Sequence, residues 1–181
     1  MRALGRLMLL PVLLGALLLA GCGDERTAGG AGGSSGVDAL AAAVGNDVKV
    51  APKVIAAEGE PPKELVQRDL ADGEGTAAKV GDTVQARYTL VAWGSTEVID
   101  STWTAGAADG GLPEPAAFPL MEGSLIEGWV KGIPGMKPGG RRLLVVPPEL
   151  GYGAEGSGPV PPNASLVFVV DLVAATPTPG G

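Results

Sequence analysis

The chain has 181 residues, enough for one ordinary domain with appendages, and its thirty Gly and sixteen Pro favour turns and loops over long helices. Its formal net charge is −7; without residues 1–21, which hold Arg2 and Arg6, eleven basic and twenty acidic residues remain, or −9. That balance disfavours nucleic acid and anionic lipid headgroups as partners, and the lack of histidine excludes any mechanism built on an imidazole titrating near neutrality.

Residues 1–21 read as a targeting segment. Arg2 and Arg6 form a basic start, and residues 7–19 are an apolar run too short for a spanning helix. The run ends in Leu19-Ala20-Gly21-Cys22, which resembles the bacterial lipobox. Small residues there let a peptidase approach the backbone, and the thiol carries the lipid. Cys22 is the only cysteine, so no intrachain disulfide forms. The other reading is an ordinary secretory signal with Cys22 incidental. Under the lipobox reading the protein is lipid-anchored at Cys22 on the extracytoplasmic face of the cell membrane, without spanning it. Two or three acyl chains anchor far better than one, at about 0.8 kcal/mol per buried methylene.

Residues 22–60 read as the lipidated cysteine and a flexible Gly/Ala/Ser-rich tether. Val37-Asp38-Ala39-Leu40-Ala41-Ala42-Ala43-Val44 suggests one or two helical turns, stopped by Gly45. Val48-Lys49-Val50 and Lys53-Val54-Ile55 suggest short strands at the end of the tether, interrupted by Pro52. If fully flexible, the stretch from Gly23 to about Asn46, roughly 25 residues, reaches roughly 25–30 Å, enough to lift a small domain clear of a lipid surface.

Residues 61–175 read as one β-rich domain, followed by a tail at 176–181. Residues 64–70 alternate and end at Asp72-Gly73. Lys79-Val80-Gly81-Asp82 is a turn into a strand over 83–91, with Val84, Ala86, Tyr88 and Leu90 on one face and Gln85, Arg87 and Thr89 on the other. Residues 141–146 and 166–173 are two more strands; in the last, Leu166, Phe168, Val170 and Leu172 share a face. A short helix over 125–133 is ended by Gly135, Pro138 and the Gly139-Gly140 pair. An antiparallel sheet with one short helix packed across it is an α+β arrangement.

Three stretches carry more than secondary structure. They are Ile126-Glu127-Gly128-Trp129; the run R-R-L-L-V-V-P-P-E-L-G-Y-G from Arg141 to Gly153; and P-P-N-A-S-L-V-F-V-V-D-L from Pro161 to Leu172. Together and in this order they resemble the FKBP-type peptidyl-prolyl cis-trans isomerases, over residues 61–174. The resemblance implies a twisted antiparallel sheet wrapped around one short helix. It also implies a pocket with no metal and no cofactor. It makes Trp129 the floor for a prolyl ring and Tyr88, Phe118, Leu125, Ile126 and Phe168 the walls. The Ile126 N–H and the Tyr152 hydroxyl become donors to substrate carbonyls, and Asp100 the pocket carboxylate. Residues 154–162 become an overhanging flap with Val160 as its apolar contact, and Ile99 sits beside the pocket.

The chain also departs from the family pattern. Ile99 stands where the family has Phe before the pocket Asp, and Ala116 where an aromatic often precedes Phe118 by two. An insert at 101–115 brings Trp103, which either folds back to replace a lost wall or lies exposed. The flap is shorter, with Ser157 where compact members often have His.

The implied chemistry needs no nucleophile. An X–Pro bond is nearly indifferent between cis and trans, but amide resonance sets a barrier of about 18–20 kcal/mol. A catalyst has only to bind the twisted imide better than either planar form, in a water-poor pocket with donors aimed at the carbonyls. The implied partners are proline-containing segments of exported or cell-envelope proteins, with macrolides such as rapamycin as candidate ligands, no nucleic acid, and a monomeric state. The same sequence also admits a non-catalytic proline-segment binding or chaperone module, or a tethered interaction protein with a vestigial pocket.

Overall fold

The computed structural model describes residues 32–105 and 111–178. The targeting segment, Cys22, the centre of the insert and residues 179–181 of the tail lie outside the described residues.

Six strands form one antiparallel sheet: β1 (Val66–Ala71), β2 (Asp82–Ala92), β3 (Val98–Ser101), β4 (Ala116–Pro119), β5 (Arg141–Val146) and β6 (Leu166–Pro177). The order is β1-β5-β6-β2-β3, with β4 also paired to β2. β4 and β3 share the outer edge of β2: Thr83–Ala86 of β2 faces β4, and Thr89–Val91 faces β3. Between them, side chains stand in for a strand. The Thr102 hydroxyl accepts the Tyr88 N–H at 3.0 Å, and the Ser101 hydroxyl donates to the Tyr88 carbonyl at 3.0 Å.

Two helices cover the sheet. The short α2 (Glu127–Gly132) packs on one face with Val84, Ala86, Leu90, Leu144, Val146, Phe168, Val170 and Leu172. The alternation read from β2 and β6 thus points the expected residues at this core. The reading of an antiparallel sheet across one short helix is met. The tether reading is corrected from Gly32 onward, because α1 (Gly32–Val44) is a full 13-residue helix packed on the opposite face. Val37, Leu40 and Val44, at i, i+3 and i+7, lie on one stripe and bury against Val91, Leu143, Val145, Val167 and Val169. Gly45 ends the helix at φ 73, as a C-terminal glycine does. No strand forms at 48–50 or 53–55; these residues run as an irregular strap.

The strap is tied to the sheet by specific bonds. The Trp93 indole N–H donates to the Gly59 carbonyl at 2.9 Å, and Arg141 Nη2 to the Val50 carbonyl at 2.9 Å. Gly36 has no room for a side chain, since a Cβ there meets the Glu58 carbonyl at 2.6 Å. Arg141 also pairs with Asp171 across the β5–β6 ladder, and both side chains are nearly inaccessible, at 1% and 3% exposure. Burial on both faces explains the unbroken apolar runs in β5 and β6, where every side chain from Leu143 to Val146 and from Leu166 to Val170 is buried.

Leu40, on the face of α1 turned to the sheet, is fully buried. Replacing it with alanine should therefore cost about 2–5 kcal/mol, as for other buried leucines. A fall in the urea midpoint of the full chain checks this; an unchanged midpoint contradicts the docking of α1.

Candidate functional site

The site is built on α2 and depends on two glycines. A Cβ at Gly128 would lie 2.4 Å from Val146 Cγ1, and one at Gly132 would lie 2.9 Å from Leu144 Cδ2. Bare backbone at i and i+4 lets the helix lie directly on β5. Trp129, between them, then projects along the sheet and is only 3% exposed. The far end of α2 is held by Arg142. Its Nη1 donates to the carbonyls of Gly132 at 2.8 Å and Pro134 at 3.2 Å, while its Nε and Nη2 grip Asp69 on β1. Carbonyls orphaned at a helix C-terminus are thus satisfied by a cation, which also suits the helix dipole.

Three aromatic rings meet Trp129. Phe118 from β4 lies 4.9 Å from it, Tyr88 from β2 5.4 Å and Phe168 from β6 5.5 Å, all edge-to-face. Tyr88 also meets Phe118 at 5.8 Å, edge-on. Such contacts place the positive edge of one ring on the negative face of another, and hold the rings at fixed angles. The rings line a cavity of about 530 Å³, completed by Leu90, Asp100, Gly123, Ser124, Leu125, Ile126, Glu127, Glu149, Leu150, Gly151 and Tyr152.

Polar groups are few and placed at the mouth. The Tyr88 hydroxyl donates a short hydrogen bond to Asp100 Oδ2. Burial raises the Tyr88 pKa well above a phenol's ordinary value, and the bond to Asp100 and the Asp100 charge push the same way. Ile126 caps α2 in an extended conformation, and its carbonyl receives the Trp129 N–H at 3.0 Å. Tyr152 is 38% exposed. Its hydroxyl bonds to no described residue. The Trp129 indole N–H is buried and has no hydrogen-bond partner among the described residues.

The loop after Tyr152 is closed at its base by Gly156 N–H to the Tyr152 carbonyl, 3.2 Å, and Asn163 N–H to the Gly153 carbonyl, 3.0 Å. Its tip is a tight turn in which Ser157 and Val160 exchange backbone bonds of 3.1 and 2.9 Å.

The structure brings together Tyr88, Asp100, Phe118, Leu125, Ile126, Trp129, Tyr152 and Phe168 around one cavity. It does not bring Ile99 and Val160 into the wall. Val160 is folded by its turn into the core behind the cavity, and Ile99, next to Asp100 on β3, packs against the edge of that core. Trp103 does not replace a lost wall. It sits in a 3-10 turn (Thr102–Ala105) with Arg87 over its ring, 6.0 Å from the centroid, on the side of β2 away from the cavity. Leu90, Gly123, Ser124, Glu127, Glu149, Leu150 and Gly151 also line the cavity, and the sequence reading assigns them no place in its wall. Glu149 and Leu150 lie within the quoted P-P-E-L-G-Y-G run, and Glu127 within I-E-G-W, so the motifs already held them. No cluster of His, Cys, Asp or Glu fit for a metal occurs among the described residues.

Comparison with known proteins agrees with this geometry. Residues 74–173 match the family model described as FKBP-type peptidyl-prolyl cis-trans isomerase. The chain is 41% identical over 125 residues to an FK506-binding protein of Streptomyces anulatus, covering 68% of this chain and 95% of that one. It is 42% identical over 124 residues to a probable FK506-binding protein of Corynebacterium glutamicum, covering 68% and 98%. The crystal structure of FkpA from Escherichia coli superposes with a TM-score of 0.55 at 38% identity, over 64% of this chain and 49% of that one. The chain belongs to the FKBP-type family, with the FKBP fold, and its enzyme class is peptidyl-prolyl cis-trans isomerase.

Two outcomes follow from the packing. Gly128→Ala forces a methyl into Val146, so the variant should unfold at lower denaturant, by about 1–3 kcal/mol; equal midpoints would show that α2 does not rest on β5 as described. Tyr88, with its pKa raised in the fold, gives full support below its unfolded value near 10 and loses that support as pH rises past it. Stability of the native chain should thus fall more steeply above about pH 10 than that of Tyr88→Phe. Parallel alkaline unfolding curves would contradict the buried phenol.

Proposed function

We propose that the cavity binds the X–Pro imide in its twisted state, with the prolyl ring on Trp129, and that the protein does this for exported polypeptides while anchored by a lipid on Cys22. The observation that carries the reading is the ring of Tyr88, Phe118 and Phe168 packed edge-on about Trp129 under a cavity whose mouth holds Tyr152 and the start of α2. Chemically the arrangement suffices. Rotation about the C–N bond removes amide resonance and leaves a more ketone-like carbonyl and a less conjugated nitrogen. An apolar wall favours that state over the hydrated planar amide, and the Ile126 N–H and Tyr152 hydroxyl are available to the flanking carbonyls. Asp100 orients Tyr88 through the hydroxyl bond, and so fixes the wall. Ile99 and Val160 act by backing that wall.

Slow X–Pro isomerisation limits folding on a scale of tens of seconds, so such a catalyst assists clients outside the membrane without an energy source. The anchor rests on the basic start, the apolar run and Leu19-Ala20-Gly21-Cys22. No helix among the described residues is long and apolar enough to cross a membrane. Rapamycin and FK506 are candidate ligands of the same cavity, on the strength of relatives named for binding FK506.

The test is NMR exchange spectroscopy of a short X–Pro peptide with the full chain, with and without rapamycin. The expected result is fast exchange, abolished by the drug and lowered at least about tenfold, or about 1.4 kcal/mol, in Trp129→Ala of unchanged circular dichroism. Peptide binding without faster exchange would replace catalysis by the binding-module reading, which the aliphatic Ile99 and Ala116 favour. Cys22→Ser should release the protein from the membrane fraction.

A further inference from the structure

We propose that two residues of β1, Gln67 and Asp69, are positioning residues of the isomerase site, acting on α2 from its end remote from the cavity. The proposal deepens the isomerase reading and rests on it. Neither residue lines the cavity, and both precede residues 74–173, the span matched by the family model.

The helix needs support from outside itself. α2 has six residues, and a helix of that length is unstable in isolation. Its last turn also presents carbonyls that have no partner within the helix. Side chains from the sheet take three carbonyls in and just after that turn. Gln67 Nε2 donates to the Lys131 carbonyl at 3.2 Å. Arg142 Nη1 donates to the Gly132 carbonyl at 2.8 Å and to that of Pro134 at 3.2 Å.

Asp69 aims the arginine. A guanidinium is planar, so fixing two of its nitrogens directs the third. Arg142 Nε and Nη2 meet the two oxygens of Asp69 at 2.6 and 2.9 Å, a bidentate fork. Asp69 stands opposite Arg142 in the β1–β5 ladder, so the register of the sheet sets that fork, and Nη1 is left pointing at the end of α2. Gln67, two residues back, is on the same face of the strand. Arg68, between them, pairs instead with Asp38 of α1. One strand thus grips a helix on each face of the sheet with alternate side chains. The cavity feels this grip at two points. α2 is less than two turns long, so a shift at Gly132 carries to Trp129 and to the Ile126 N–H as a rigid body. Apolar contact with β5 is not directional, and the bonds at the end of the helix supply the stop that fixes it along the strand.

The experiment compares the native full chain in detergent micelles with Asp69→Asn, Asp69→Glu, Gln67→Ala and, as a control on the same strand, Arg68→Gln. Exchange of one X–Pro peptide is followed over a range of peptide concentrations, beside the Trp129 indole N–H resonance and the urea midpoint. Asp69→Asn keeps the shape of the side chain but loses the charge and one acceptor. Its kcat per folded molecule should fall about tenfold with little change in KM, short of the roughly hundredfold that a 1 Å misplacement can cost. The Trp129 resonance should move with it. Asp69→Glu, which keeps both oxygens and the charge, should recover part of the rate. Gln67→Ala removes an exposed, uncharged side chain, so it tests the proposal even if Asp69→Asn fails to fold; it should move rate and resonance the same way by less. Arg68→Gln should leave both unchanged. Native kcat in Gln67→Ala and in each folded Asp69 variant would overturn the proposal while leaving the isomerase reading intact. An equal fall in Arg68→Gln would also overturn it, since the support from β1 would then be general to the fold. A native chain that does not speed exchange would contradict the isomerase reading, and the proposal with it.

Discussion

The contact of bare helix backbone with β5 is the constraint on which the rest of the site depends. Gly128 and Gly132 leave no side chain between α2 and the side chains of Val146 and Leu144. Only at that separation does Trp129 sit low enough for Tyr88, Phe118 and Phe168 to reach its ring from three different strands. A helix held a methyl group higher would tilt the indole out of the ring contacts and open the floor to water. Arg142 reinforces the contact from below, joining the last carbonyls of α2 to Asp69 at the edge of the sheet. Removing Asp69 would leave the buried Arg142 guanidinium without its counter-charge, whereas Asp69 itself is half exposed and open to water.

A rigid floor needs a rigid sheet beneath it, and the sheet is covered on both sides. On the far face α1 and the strap that follows it bury the apolar residues that β5 and β6 turn away from the cavity. The Arg141–Asp171 pair closes the end of that layer, with the Val50 carbonyl taking a further guanidinium N–H. The helix, the strap and the cavity face are thus parts of one packed unit. The described chain begins with α1, on the face opposite the cavity.

The sequence displayed some of this and concealed the rest for physical reasons. The alternation in β2 marked which of its residues face α2, and the core bears it out at Val84, Ala86 and Leu90; β6 is buried on both faces, and there only the two-residue period of a strand assigns Phe168 and Leu172 to the same side. The order of Tyr88, Asp100, Phe118, Ile126, Trp129, Tyr152 and Phe168 marked the cavity. The start of α1 was hidden by its composition: Val37 to Val44 suggests one or two helical turns, but Gly32, Gly33, Ser34, Ser35 and Gly36 read as tether, and tertiary packing of Val37, Leu40 and Val44 overrides that weak propensity. The strands β3 and β4, four residues each, are too short to show a period. Val160 reads as a pocket contact because it lies in the flap, but the turn at Ser157 folds it inward. Charge at the mouth was legible only as isolated letters, since nothing in the chain order says that Glu127 and Glu149 flank one opening.

The account stands or falls on whether a prolyl ring lies on Trp129. The most direct measurement is a set of intermolecular NOEs between the ring protons of a bound X–Pro peptide and the assigned indole protons of the three tryptophans. The account predicts contacts to the Trp129 ring, together with Tyr88 and Phe168, and none to Trp93 or Trp103. Prolyl contacts to Trp103, or to the far face at Trp93, in a folded chain would contradict it.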